Sequence, residues 1–195
     1  MDITLYTSMR KAAVTLAAAI TLAMATPATA ADYELNVKPF EELQVVNGIN
    51  VTYRCNTDSA GYVRFSCDPD ISSMVLFSNN KNKLKIELSD EITDAQRQRL
   101  PTVTVFSAFL SKVENSGDST VYIDTPSPAA TFKARIVGNG TLIARGLHAT
   151  TVEGKIATGH GHLVLAGEAQ TVKLNNTGTG TIEAGTIKAT TGRCS

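Results

Sequence analysis

Glycine recurs at a nearly constant interval late in the chain, and this interval constrains the fold most. The leading glycines are Gly117, Gly138, Gly159 and Gly178, with spacings of 21, 21 and 19 residues. The last three begin Gly-x-Gly units, whose second members are Gly140, Gly161 and Gly180. A short apolar stretch follows each marker. A period of about 20 residues is too short for a helical hairpin or a propeller blade, but it suits one coil of a parallel β-helix.

The residue types at the markers suit such a coil. A corner that recurs in every coil needs unusual backbone angles, which glycine adopts at low cost. Threonine is β-branched, and its hydroxyl can bond to a stacked neighbour, as can Asn115, Asn139 and Asn175. We therefore predict that the seven glycines are structural turns and that residues 111–195 form about four coils. The alternative is a β-sandwich with evenly spaced hairpins.

Residues 31–110 show the period-two pattern of β-strands. The segment Leu84–Leu88 alternates apolar and charged residues, which gives one buried and one exposed face. The one helix candidate is Thr93–Leu100, where Thr93 caps the start and Pro101 stops the end. We predict an all-β fold, a solenoid like a parallel β-helix, in which residues 31–110 supply lead-in strands and a cap.

The first 30 residues have the organisation of a signal peptide. Arg10 and Lys11 precede an apolar run over residues 12–25, and Ala28–Ala30 forms a small-x-small cleavage pattern. We expect cleavage after Ala30, and export of one domain, residues 31–195, to the bacterial periplasm, the cell surface or the medium. An uncleaved N-terminal anchor is the alternative.

The charge balance excludes two classes of partner. The chain has 18 basic and 18 acidic residues, and its formal net charge is zero. A nucleic-acid binder needs a basic footprint to neutralise phosphates, and a polybasic membrane-surface protein needs a similar excess. We expect neither nucleic acid nor a membrane span in the mature chain.

Export would place the three cysteines in an oxidising compartment. Cys55 and Cys67 end two strand-like runs, and antiparallel pairing of these runs would bring the two thiols within bridging distance. We predict a Cys55–Cys67 disulfide; two separate buried thiols are the alternative. Cys194 is then the odd cysteine, either free or able to join two chains.

The order and spacing of several motifs resemble the head GIN domain family, a bacterial domain of unknown function described as a putative autotransporter adhesin head. The motifs are Phe40, Val45-Val46, Gly48-Ile49-Asn50-Val51, Leu84-Lys85-Ile86, and the units at Gly117, Gly138, Gly159 and Gly178. They span roughly residues 35–192. The resemblance implies an exported, right-handed β-helix-like fold and an adhesin-like role. The Cys55 and Cys67 pair and His160 depart from the family pattern.

No catalytic, cofactor-binding or metal-binding residue is predicted. His160 and His162 could face one side of a strand, but a closed metal site needs more ligands, so a solvated turn is the expectation. The chain lacks Gly-x-Ser-x-Gly, and its Gly-x-Gly units lie between strands without a following helix. Its acidic residues are scattered and form no evident pair.

Two functional hypotheses follow. The first is a non-enzymatic envelope or surface module that binds a protein or glycan through the solenoid face. The second is a polysaccharide-active enzyme, a lyase or hydrolase, which rests on fold analogy alone. Because an open strand edge is an association site, we also expect self-association through the C-terminal coil or Cys194.

Overall fold

The structure, a computed structural model, describes residues 30–195 and confirms an all-β fold. This part of the chain contains thirteen strands and two helices of one turn each. The strands are β1 (Ala31–Asn36), β2 (Glu42–Val46), β3 (Val51–Cys55), β4 (Tyr62–Cys67), β5 (Val75–Asn80), β6 (Lys83–Leu88), β7 (Val103–Ser107), β8 (Lys112–Ser116), β9 (Thr120–Asp124), β10 (Ala129–Val137), β11 (Thr141–Thr158), β12 (His162–Asn176) and β13 (Thr181–Cys194). The helices are α1 (Pro69–Ser72) and α2 (Asp94–Arg97). The expected signal peptide lies, except for Ala30, outside the described residues.

Helix α2 lies in the segment for which a helix is predicted. The hydroxyl of Thr93 accepts a hydrogen bond from the backbone nitrogen of Gln96 at 3.3 Å, and the Gln96 side chain accepts one from the backbone nitrogen of Thr93 at 3.0 Å. This capping box fixes the start of the helix. The helix ends at Arg97, so it is shorter than the predicted range Thr93–Leu100.

The thirteen strands form one curled sheet that mixes parallel and antiparallel pairs. Eleven of them follow the order β1-β4-β7-β3-β9-β11-β10-β8-β2-β6-β5, and β12 and β13 continue from β11. Strand β11 bends at Gly146, where φ is 65°. Residues 141–145 pair with β9, whereas residues 149–158 pair with β10. The bend carries one strand from one face of the sheet to the next.

The later strands stack in parallel with a register of about 20 residues. Strands β8, β10, β11, β12 and β13 place at one position Lys112, Lys133, Glu153, Lys173 and Arg193. Successive strands are about 4.8 Å apart, so each repeat adds one layer. The glycine interval in the sequence is this register.

Strands β2 and β3 lie within this stack. Strand β2 lies between β6 and β8, and β3 lies between β7 and β9, with all four pairs parallel. The N-terminal region thus supplies an inserted layer, 70 residues before the layer above it. Residues 31–110 therefore act only partly as the predicted cap. The antiparallel pairs β1–β4 and β5–β6 lie at the two ends of the eleven-strand path.

The core consists of apolar ladders that run through the layers. Strand β6 buries its apolar residues and turns its charged ones outward, as the pattern over Leu84–Leu88 predicts. On the other side of the core, one register position is occupied by Val103, Val51, Val121, Leu142 and Leu163. All five are almost completely buried. Burial of these side chains holds successive layers together.

Candidate functional site

The seven predicted turn glycines lie at one corner of the stack. Gly159 has a φ of 81°, a left-handed conformation that costs glycine little. Gly117 lies against the turn of the inserted layer, because a Cβ atom added to it would be 2.7 Å from the backbone nitrogen of Gly48. The corner thus needs glycine for its backbone angle at one level and for close approach at another.

Two asparagines support the first and last of these turns. Asn115 is fully buried, donates to two backbone carbonyls at 2.8 and 3.0 Å, and accepts from the backbone nitrogen of Gly117 at 3.3 Å. Asn176 donates to the carbonyl of Gly180 at 2.8 Å and accepts from Gly178 at 3.2 Å. These bonds satisfy turn groups that have no strand partner.

Both histidines of the third turn contact the next layer. Nδ1 of His160 lies 2.6 Å from Oγ1 of Thr179, and its backbone nitrogen donates to the Asn139 side chain at 3.0 Å. Nε2 of His162 lies 2.9 Å from a carboxylate oxygen of Glu183. Among residues 30–195, no group of three or more His, Cys, Asp and Glu residues could hold a metal ion.

The Cys55–Cys67 disulfide prediction is wrong in this structure, in which both cysteines are free. The prediction assumed that β3 and β4 pair, but β7 lies between them, parallel to β3 and antiparallel to β4. Cys55 lies opposite Ser107 of β7, whereas Cys67 lies opposite Ala31 of β1. The two cysteines are about 20 Å apart along the strands, and a disulfide needs Cα atoms within about 7 Å.

The three thiols differ in their environment. Burial, followed by the charges of Asp68 and Asp70, raises the pKa of Cys67 to about 11. A thiol with so high a pKa is almost wholly protonated at neutral pH and reacts slowly. Cys55 and Cys194 are exposed.

The outward side of seven parallel strands carries an excess of positive charge. These strands are β6, β2, β8, β10, the second half of β11, β12 and the second half of β13. The surface, here termed the basic face, has the basic residues Lys83, Lys85, Lys112, Lys133, Arg135, Lys155, Lys173 and Arg193. Its acidic residues are Glu42, Glu87, Glu114 and Glu153. Eight basic against four acidic residues leave an excess of four positive charges.

Each acidic residue of the basic face contacts a basic residue on the same face. The ion pairs are Lys112–Glu42 at 3.1 Å, Arg135–Glu114 at 3.2 Å, Lys133–Glu153 at 3.3 Å, Lys173–Glu153 at 3.4 Å and Lys85–Glu87. Lys83, Lys155 and Arg193 form no ion pair with any described residue. The positive excess therefore comes from these three residues and from the sharing of Glu153 between two lysines.

Glu153 connects three layers of the basic face. Partial burial acts to raise the pKa of its carboxyl, but hydrogen bonds and charges from Lys133 and Lys173 outweigh burial and lower that pKa. Glu153 is therefore ionised at neutral pH and holds the two ammonium groups at fixed positions.

A row of hydroxyl groups runs beside the charged column. The residues two positions before Lys133 and its register partners are Thr131, Thr151, Thr171 and Thr191. Residues two apart on a strand share a side, so these threonines lie on the basic face. Polar donors and acceptors thus alternate with ammonium groups along each strand.

The opposite outward side, here termed the mixed face, is different in character. It is formed by β7, β3, β9 and the first parts of β11 and β12. Its central row contains Thr104, Thr52, Tyr122, Ile143 and Val164. In the next row Asp124 lies between Arg54 and Arg145. Charges on this face are few and of both signs.

The stack has an open end at β13. This strand pairs with β12, and its other edge pairs with no strand of the described residues. A cavity of about 300 Å³ adjoins it, lined by Val172, Leu174, Ile187 and Cys194 among others. The apolar core therefore reaches the surface here.

No sequence prediction points to the basic face. Its residues recur at the interval of the glycines, so alignment of the repeats could have placed Lys112, Lys133, Glu153, Lys173 and Arg193 in one row. The signal is hidden in composition, because the net charge of the whole chain is zero.

Stacked parallel layers, a glycine corner and repeated outward rows define an all-β domain of repeating structure. The family model described as putative auto-transporter adhesin, head GIN domain, matches residues 39–195, and the chain belongs to this family. This match confirms the resemblance recognised in the sequence motifs.

Solved structures share the fold. A putative adhesin from Bacteroides fragilis has a TM-score of 0.75 at 20% identity, over 85% of this chain and 75% of that chain. A putative lipid binding protein from Parabacteroides distasonis has a TM-score of 0.64 at 15% identity, over 85% and 77% of the two chains. A putative adhesin from Parabacteroides merdae has a TM-score of 0.63 at 18% identity, over 85% and 76%.

At these identities the likeness shows the fold alone. No curated protein matches the chain. In the part of the chain that the structure describes, neither short helix approaches the length or apolar character that a membrane crossing requires.

Proposed function

We propose that this chain is a non-enzymatic module of the bacterial envelope or surface, which binds a protein or a glycan on an outward face of its stacked strands. The observation that carries the proposal is the repetition of outward side chains in rows across the layers. Such rows give a broad, rigid surface on which one kind of contact is made many times. The names of the two adhesin structures and the family description support the proposal.

The parallel register supports a finer description of the fold. A register of about 20 residues, with a glycine corner in each layer, suits a parallel β-helix-like solenoid. The right-handed sense follows from the general preference of parallel crossover connections. Residues 31–195 then form one domain around a continuous core.

Export is part of the same proposal. Residues 1–30 would be removed after Ala30, and the mature chain would act in the periplasm, at the cell surface or in the medium. N-terminal sequencing of the protein recovered from these compartments should begin at Ala31. Recovery of an intact N-terminus only from the cytoplasm would contradict export.

The open end at β13 supports self-association. Its free edge carries unpaired backbone groups over residues 181–194, and the same edge of a second copy offers the complementary groups. The exposed Cys194 lies beside this edge and could join two copies. Light scattering that shows a monomer at all concentrations would contradict this arrangement.

The binding proposal is tested with purified residues 31–195 on arrays of bacterial and host glycans and on immobilised cell-surface proteins. We expect binding that saturates and that is lost on unfolding. The same polymers are examined for shortening after incubation. Catalytic cleavage of any polymer would contradict a non-enzymatic role and favour a polysaccharide lyase or hydrolase.

A further inference from the structure

We propose that the basic face binds an acidic polysaccharide, whose carboxylate groups lie against the lysine and arginine side chains of successive layers. This inference rests on the proposed binding role and adds to it the face and the class of ligand.

Charge segregation is the first argument. The basic face has an excess of four positive charges, whereas the whole chain has a net charge of zero, so the other residues carry an excess of four negative charges. The ammonium groups of Lys133 and Lys173 are more than half exposed. Lys83, Lys155 and Arg193 are exposed and have no acidic partner among the described residues. An anionic ligand would complete pairs that the chain leaves open.

Charge density favours a polymer with widely spaced carboxylates. Seven strands about 4.8 Å apart span about 29 Å, so the excess amounts to roughly one positive charge per 7 Å. Duplex DNA carries one negative charge per about 1.7 Å, far more than this face can neutralise. An acidic polysaccharide with one carboxylate on each sugar, or on every second sugar, matches the lower density.

The threonine row supplies the second requirement of a sugar ligand. Thr131, Thr151, Thr171 and Thr191 place one hydroxyl per layer beside the charged column. A hydroxyl both donates and accepts, so this row can bond to the hydroxyl groups that separate the carboxylates of a polysaccharide. A polymer lying across the strands would therefore meet alternating charged and neutral polar groups.

The test compares two variants that each lose three positive charges. Lys83→Gln, Lys155→Gln and Arg193→Gln are combined to remove the unpaired charges of the basic face. Arg54→Gln, Arg145→Gln and Lys188→Gln are combined as the control, because these residues lie outside that face. Both variants have the same net charge, and thermal unfolding checks that both remain folded.

Binding to polygalacturonate is measured at about 10 mM salt, where charges interact over about 30 Å. The basic-face variant should bind roughly 3- to 100-fold more weakly than the unmodified protein, since an exposed ion pair contributes about 0.2–1 kcal/mol. The control should bind within about twofold of the unmodified protein. Dextran, which is neutral, should not bind.

Other outcomes overturn the inference in distinguishable ways. Equal weakening of both variants would show general attraction without a defined face. Binding to vesicles of phosphatidylserine and phosphatidylcholine, but not to polygalacturonate, would assign the face to a membrane surface. Binding to a neutral glycan or a protein, unaffected in the basic-face variant, would leave the proposed function standing without this ligand. Failure to bind any ligand on the arrays would remove the proposed function as well.

Discussion

Gly117 lies against Gly48, although the two residues are 69 positions apart in the sequence. The contact joins the inserted layer, β2 and β3, to the first repeated layer, β8 and β9. The stack is therefore not assembled in chain order. Its lower half depends on long-range pairing, which requires closure of a long loop.

Substitution Gly117→Ala should destabilise the protein. The added Cβ atom would lie 2.7 Å from the backbone nitrogen of Gly48, so the two layers must separate, at a cost of about 1–3 kcal/mol. Urea unfolding measures the change. The control is Gly185→Ala, where no atom lies within 4 Å and a change within about 0.5 kcal/mol is expected. Equal stability of the two variants would contradict the close contact between layers.

Substitution Asn115→Ala should remove three hydrogen bonds from a fully buried position. The backbone groups left unpaired should lower the free energy of unfolding by about 1–3 kcal/mol. Asn176→Ala removes a similar set of bonds from an exposed position, where water replaces them, so its effect should be smaller. If chemical denaturation finds the Asn176 variant to be the less stable, the buried asparagine is not the stronger support.

The cysteines should react in two classes. Under native, non-reducing conditions at neutral pH, an alkylating reagent should modify the exposed Cys55 and Cys194 in monomeric protein. Cys67, with a pKa of about 11, should react only after unfolding. Mass spectrometry of digested protein counts the labels. Rapid labelling of Cys67, or a peptide that links it to Cys55, would contradict the strand arrangement.

Glu153 should contribute stability that depends on pH. Its pKa is lowered in the folded protein, so its contribution is present above the pKa of the unfolded chain and is lost as the pH falls through the folded value. At pH 7 the Glu153→Gln variant should be less stable by no more than about 1 kcal/mol, because solvent screens the pairs. This difference should disappear well below the ordinary glutamate pKa of about 4.3.

The control for that experiment is Glu168→Gln. Glu168 also lies between two basic side chains, but its contacts are longer, 3.5 Å to Lys188 and 3.8 Å to His148, and it is more exposed. Its unfolding free energy should change little at any pH. A larger effect at Glu168 than at Glu153 would show that the lysine pairs do not stabilise the layers.

The glycine corner was predictable because one physical requirement recurs in every layer and leaves one residue type at a fixed interval. Gly48 belongs to the same corner, but it precedes Gly117 by more than three periods and so falls outside the repeat. Its Asn47-Gly48 pair reads locally as an ordinary turn. Only the register of β2 with β8 reveals that it forms a layer.

The Cys55–Cys67 hairpin shows a limit of local reasoning. Two strand-like runs joined by a polar turn favour antiparallel pairing, but β7 pairs with both runs and separates them. The competing strand begins at Val103, well beyond the turn. Likewise, a charged row such as Lys133, Glu153 and Lys173 becomes visible only when the register between layers is known.

The affinity for polygalacturonate at increasing salt concentration tests the role of the basic face most directly. The Debye length falls from about 30 Å at 0.01 M salt to about 3 Å at 1 M, which screens exposed charges almost completely. If carboxylates pair with Lys83, Lys155 and Arg193, the affinity should fall more than about tenfold over this range. An affinity that does not change with salt would contradict binding through this face.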